Sequence, residues 1–131
     1  MLEYINTDFI QSLWNEAENS PRLRMNFDMR NSAADTSQRM LNALLPGTEV
    51  PIHRHESTEE SVFCLCGKLE EIIYEECETS DGGFKEIARY TLCPNEGKYG
   101  IQVPAGMWHS INVIEPSAIF EAKDGAYIVQ G

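Results

Sequence analysis

The sequence predicts an all-β fold with one short leading α-helix, and three observations predict it. The chain has 131 residues with no internal repeat and no linker, which is one domain's length. The hydrophobic period switches from helical to two at Pro21. From there to the end, roughly nine or ten short apolar runs separated by turn residues follow at near-regular spacing, the pattern of a β-sandwich or barrel. The hydrophobic content of 42% is that of an ordinary globular chain, not a disordered one.

The helix is predicted over about residues 6–18. Asn6 or Thr7 can cap it, Asp8 suits its first turn, and Phe9, Ile10, Leu13, Trp14 and Ala17 form one apolar stripe. Asn19, Ser20 and Pro21 end it. Next, Leu23, Met25, Phe27 and Met29 alternate with Arg22, Arg24, Asn26, Asp28 and Arg30, a strand with one apolar and one polar face. A second strand over 39–45 stops at Pro46-Gly47. Strands follow over 50–55, 60–66 and 68–76. The run Thr79-Ser80-Asp81-Gly82-Gly83 makes a hairpin turn leading into 84–92. Strands over 99–103, 108–114, 118–123 and 127–129 complete the barrel, which spans about 21–129 of a single domain covering 1–131.

Charge narrows the partners. Ten Lys and Arg against 21 Asp and Glu leave a formal charge of −11. Nucleic acid is excluded as the expected partner, because phosphate contacts come mostly from Lys and Arg, and so is an anionic membrane surface. The first residues carry Glu3 and Asp8 and no basic cluster, and no apolar run reaches membrane-helix length. The expected location is therefore cytoplasmic. Cys64, Cys66, Cys77 and Cys93 are expected as reduced thiols.

The chemistry concentrates in three histidines. His53 and His55 stand two apart on an extended segment, so both rings can reach one point. Glu60 opens the next strand, and His109 follows the tight turn Pro104-Ala105-Gly106. Three imidazoles and a carboxylate suit a divalent transition metal of the Zn, Fe, Ni, Cu or Mn type, with open positions left for a ligand in an octahedral site. His-x-His alone is a weak signal. It gains weight because no histidine lies outside the constellation.

These residues resemble the two motifs of the cupin superfamily. Gly47, five residues, His53-Arg54-His55, four residues, Glu60, six residues and Gly67 fit the first motif throughout. Pro104, Gly106 and His109 match the centre of the second, while Gly97 and Asn112 each stand one position off. The resemblance extends to WbuC-type cupin metalloproteins through three runs. These are Ser20-Pro21-Arg22-Leu23-Arg24, the run from Gln38 to Thr48, and the tail from Phe120 to Tyr127 with Ala126 where Pro is more usual. It implies a single-domain cupin (a double-stranded β-helix, or jelly-roll barrel) with one divalent metal (Zn, Fe, Ni or Mn) held by His53, His55, Glu60 and His109. Glu59 is the alternative carboxylate. It also implies a homodimer, a small-molecule ligand, and genes for surface polysaccharides nearby.

Strand parity sorts the neighbours. With Glu60 inward, Val62, Cys64 and Cys66 point inward and Phe63 and Leu65 outward. The two thiols read as apolar filler rather than metal ligands. The outward pair needs a cover, either the N-terminal helix or a second subunit. Arg24 or Arg39 can offer a guanidinium fork to a substrate carboxylate or phosphate. Asn42, Gln102 and Lys123 are further substrate-binding candidates, and Glu121 is the candidate proton-transfer residue. Three functions follow as alternatives. The first is a metal-dependent isomerase or epimerase of a small sugar-like molecule, with an iron oxygenase as its variant. The second is a non-catalytic binding or sensor module, and the third a purely structural metal site.

Overall fold

The computed structural model describes residues 2–125. The helix α1 spans Thr7–Glu18 and is capped by Asn6, whose side-chain oxygen accepts from the Phe9 amide at 3.0 Å. Six strands follow among the described residues: β1 (Arg24–Asp28), β2 (Ser37–Leu44), β3 (Glu60–Glu76), β4 (Phe84–Leu92), β5 (Gly100–Val103) and β6 (Trp108–Asp124). All pairings are antiparallel, in the order β1-β2-β6-β3-β4, with β5 beside the first half of β3.

The apolar positions fall on both faces of this sheet. Leu44, Val62, Cys64, Leu69, Leu92, Val113 and Ile119 pack together inside the barrel. On the outer face, Leu41, Ala43 and Ala118 pack beneath Ile10 and Leu13 of the helix, flanked by Met25, Phe27, Met29 and Cys66. Phe9 meets Phe27 edge-on, and the Trp14 indole donates to the Ser117 carbonyl at 2.9 Å. The apolar face of β1 is thus the outer one, roofed by α1. Its polar residues Arg24, Asn26 and Asp28 sit opposite Leu44, Asn42 and Met40 on the other face.

Several expectations change here. The expected strands 60–66 and 68–76 are one 17-residue strand, β3, and 108–114 and 118–123 are one 17-residue strand, β6. They join because register shifts absorb the interruptions: β3 shifts between Cys64 and Leu69, and Pro116 lies just before β6 takes on β2 as a second partner beside β3. Gly67 sits inside this region at φ +91, and a Cβ there would lie 2.2 Å from the Pro116 carbonyl. The same shifts turn Cys66 to the outer face under the helix, so parity counted from Glu60 holds only through Cys64. The expected strand 50–55 is irregular backbone with a single bridge at His53. The helix does not cover Phe63 and Leu65, which are 51% and 45% exposed. The expected strand 127–129 lies outside the described residues.

Candidate metal centre

The irregular segment carrying His53 and His55 is fixed by its contacts with the start of β6. The His53 and His109 backbones exchange two hydrogen bonds, at 3.0 and 2.8 Å, and the Gly106 amide donates to the His55 carbonyl at 2.7 Å. Gly106 meets it with φ +82, a conformation natural to glycine in the Pro104-Ala105-Gly106 turn. Between the two histidines, the Arg54 guanidinium stacks 4.5 Å over the Trp108 ring, which Phe84 also meets edge-on. The bridge and the stack carry the His-x-His pair to the side chain of His109 although the loop has no strand of its own.

The three imidazoles converge: one ring nitrogen from each of His53, His55 and His109 lies within 4.8 Å of the others. The Glu60 carboxylate reaches the same point, with Oε2 3.0 Å from His55 Nε2, and its side chain is buried. His53 Nδ1 lies 2.9 Å from the Pro51 carbonyl, and His109 Nδ1 lies 2.6 Å from Glu71 Oε1. Among the described residues His109 Nε2 is buried with no polar partner, and the buried His55 Nε2 has only the Glu60 oxygen beside it, without hydrogen-bond geometry. Buried polar atoms are otherwise nearly always satisfied. An orphaned His109 nitrogen converging with two further imidazoles and a carboxylate fits a nitrogen- and oxygen-binding metal ion.

The electrostatics agree with that donor set. Burial pushes the His53 and His109 rings toward the neutral form, the form that binds a metal. For Glu60, burial acts upward, but the adjoining His55 ring, with His109 and His53 behind it, holds the carboxyl below its usual value. Burial, with Glu60 adding to it, pushes Glu71 up to about 8. Glu121 is also pushed up to about 8, chiefly by burial and then by Glu60. The Asn42 amide donates to Glu121 Oε1 at 2.7 Å, and Arg24 opposes the upward shift. Glu121 and Asn42 therefore form a polar pair in the barrel close enough to sense the Glu60 charge.

The remaining sequence candidates divide by face. Lys123 lies opposite Glu60 in the β3–β6 register. Arg24, on the polar face of β1, donates to the Glu49 carbonyl at 2.8 Å. Arg39 lies opposite Ala122, flanked along β2 by the inner-facing Gln38 and Met40, and pairs with Asp35 at 3.1 Å. Gln102 lies opposite Ser61 and donates to Glu59. Arg39, Gln102, Glu59 and Ser61 line an outer groove of about 530 Å³, which Lys123 also borders. The structure thus brings Asn42 and Glu121 together on the inner face and sets Arg39 and Gln102 on the other. Glu59 joins that outer group, while Glu60 faces the histidines. Cys64 is buried in the inner core, where burial pushes its thiol up to about 11, as suits inert filler.

Glu71 escaped the sequence reading. Parity counted from Glu60 puts Glu70 inward and Glu71 outward, and the register shifts near Gly67 reverse this. A usable signal was present: restarting the count after Gly67 gives Leu69, Glu71 and Ile73, a carboxylate inside an apolar alternation.

With this geometry in hand, the fold class is plain: an antiparallel jelly-roll barrel with a short N-terminal helix, the cupin fold. Solved structures similar to the chain share it. YcfD, a ribosomal oxygenase from Escherichia coli, superposes with a TM-score of 0.54 at 17% identity over 70% of this chain. KdgF from Halomonas sp. gives 0.57 at 13% identity, covering 83% of this chain and 84% of that one. A dTDP sugar isomerase from Desulfovibrio desulfuricans G20 gives 0.58 at 15% identity, covering 78% and 68%. The chain spans 24% of YcfD's length. No curated protein matches the sequence. The chain belongs to the family described as Domain of unknown function (DUF6016), whose model matches residues 5–82.

Proposed function

We propose that this protein is a metal-dependent cupin enzyme of the isomerase or epimerase type, acting on a small polar, sugar-like molecule. His53, His55, Glu60 and His109 hold one divalent transition metal. The observation that carries the reading is the convergence of three imidazole nitrogens and the Glu60 carboxylate on one point, with His109 Nε2 buried there and unpartnered among the described residues. A metal held there supplies Lewis acidity to a carbonyl or hydroxyl oxygen of the ligand. The chain's own residues do the rest. Asn42 fixes the Glu121 carboxyl, whose ionised fraction takes the proton from the ligand carbon next to the carbonyl and, as the acid so formed, returns a proton to carbon. Arg24 on the same inner face favours a ligand with an anionic group. One structural neighbour is a dTDP sugar isomerase, which fits this substrate class, and WbuC-type membership with a role in surface-polysaccharide metabolism accords with the runs over residues 20–24, 38–48 and 120–127. A cytoplasmic homodimer completes the proposal.

The test begins with protein purified without chelator or added metal. Near-stoichiometric transition metal is expected by elemental analysis. Incubation with a panel of nucleotide and free sugars in deuterated water should incorporate deuterium at a carbon next to a carbonyl. Glu121→Gln should abolish incorporation while leaving the metal content unchanged. Metal without exchange across the panel, or exchange that survives Glu121→Gln, defeats the enzymatic reading. Iron with oxygen uptake replaces it by the oxygenase variant.

A further inference from the structure

We infer that Glu71 is the positioning residue of the metal centre: it holds the His109 ring so that Nε2, not Nδ1, faces the other ligands. This rests on the metal reading above and names a residue that reading does not use. Glu71 and His109 stand on the same inward stripe, with Glu71 opposite Ile111 and His109 opposite Ile73 in the β3–β6 register. The Glu71 side chain is fully buried, and its Oε1 lies 2.6 Å from His109 Nδ1. Among the described residues its second oxygen has no hydrogen-bond partner, which leaves the histidine as the side chain's hydrogen-bonding contact there. A carboxylate on one ring nitrogen fixes both the tautomer and the ring orientation, and it raises the basicity of the other nitrogen. His53 has a weaker counterpart in the Pro51 carbonyl, 2.9 Å from its Nδ1. A buried carboxyl is costly to keep for packing alone, since a leucine would fill the space without leaving a polar oxygen unsatisfied.

Two measurements test this, one of them independent of any metal. In metal-free protein at pH 9, long-range proton–nitrogen NMR should show His109 with its proton on Nδ1 and a bare Nε2. Glu71→Leu should lose that pattern, and Glu71→Gln, whose carbonyl oxygen can still accept from Nδ1, should keep it. Titration with Zn²⁺ alone should then show affinity at least tenfold weaker in Glu71→Leu, with Glu71→Gln in between. A wild-type ring protonated on Nε2, a tautomer unchanged in Glu71→Leu, or an unchanged Zn²⁺ affinity in that variant overturns the inference. If Glu71→Leu does not fold, Glu71→Gln decides: Zn²⁺ affinity equal to wild type overturns the inference. If wild-type protein binds no Zn²⁺ yet shows the expected tautomer, the positioning contact stands and the metal-centre reading fails.

Discussion

Gly67→Ala is expected to be among the most damaging single-methyl additions to the inner barrel, and its cost can be worked from two separate sources. The first is backbone conformation: Gly67 sits at φ +91, where an L side chain costs about 1–2 kcal/mol. The second is space. The new Cβ would lie 2.2 Å from the Pro116 carbonyl oxygen, 2.5 Å from Ser117 Oγ and 2.7 Å from Ser117 Cα. Two of those atoms are backbone of β6, so relief requires β3 and β6 to separate where the Ser117 hydroxyl accepts from the Lys68 amide. Overpacking of this kind costs about 1–3 kcal/mol more. The sum is about 3 kcal/mol. Gly82→Ala isolates the first source, because Gly82 has φ +76 and nothing within 4 Å of its Cβ position. It should lose only about 1 kcal/mol. Urea unfolding followed by the fluorescence of Trp14 and Trp108 measures both. Equal losses in the two variants would refute the packing argument and leave only backbone strain.

Other outcomes follow from the same contacts. Zn²⁺ should raise the melting temperature of the wild type, by about 4 kcal/mol of stability at a thousandfold excess over the dissociation constant. That rise should vanish in His55→Ala and His109→Ala and persist in Arg39→Ala, which differential scanning fluorimetry reads directly. Glu121 keeps its proton up to about pH 8 in the fold against 4.5 ordinarily, so the folded state binds the extra proton between those values. Metal-free protein should therefore lose stability as pH rises from 5 to 8.5, and Glu121→Gln should lose less, by urea midpoints at the two ends. Trp14→Phe removes the hydrogen bond to Ser117 and should cost about 1 kcal/mol by the same assay, without altering Zn²⁺ affinity. Arg54→Ala removes the stack on Trp108 and should weaken Zn²⁺ binding several-fold in a competition titration, because the His-x-His segment has no strand to hold it.

The helix was legible because capping and periodicity are local: Asn6 and the stripe through Ile10, Leu13 and Ala17 are where the sequence puts them. Strand β4 matches its expected bounds for a similar reason, with the Asp81-Gly82-Gly83 turn fixing its start. The histidine cluster was legible as a resemblance in spacing, although what joins it is a backbone bridge that no local pattern encodes. What sequence alone hides is which face of a long strand looks inward once a register shift intervenes. Cys66 and Glu71 both lie beyond such a shift, and both change sides. The roof over β1 was hidden too, since its alternation shows two faces without saying that the apolar one meets the helix.

The bridge between His53 and His109 also orders events in time. His53, His55 and Glu60 lie in the first half of the chain, while His109 enters only with β6, which must pair with both β2 and β3. Such non-local pairings dominate the folding barrier and form late. A nascent chain halted before residue 109 holds two imidazoles and a carboxylate with nothing to close the set. On the proposed reading, metal capture would therefore certify a finished barrel instead of nucleating one, and a partly folded intermediate should compete poorly for the ion.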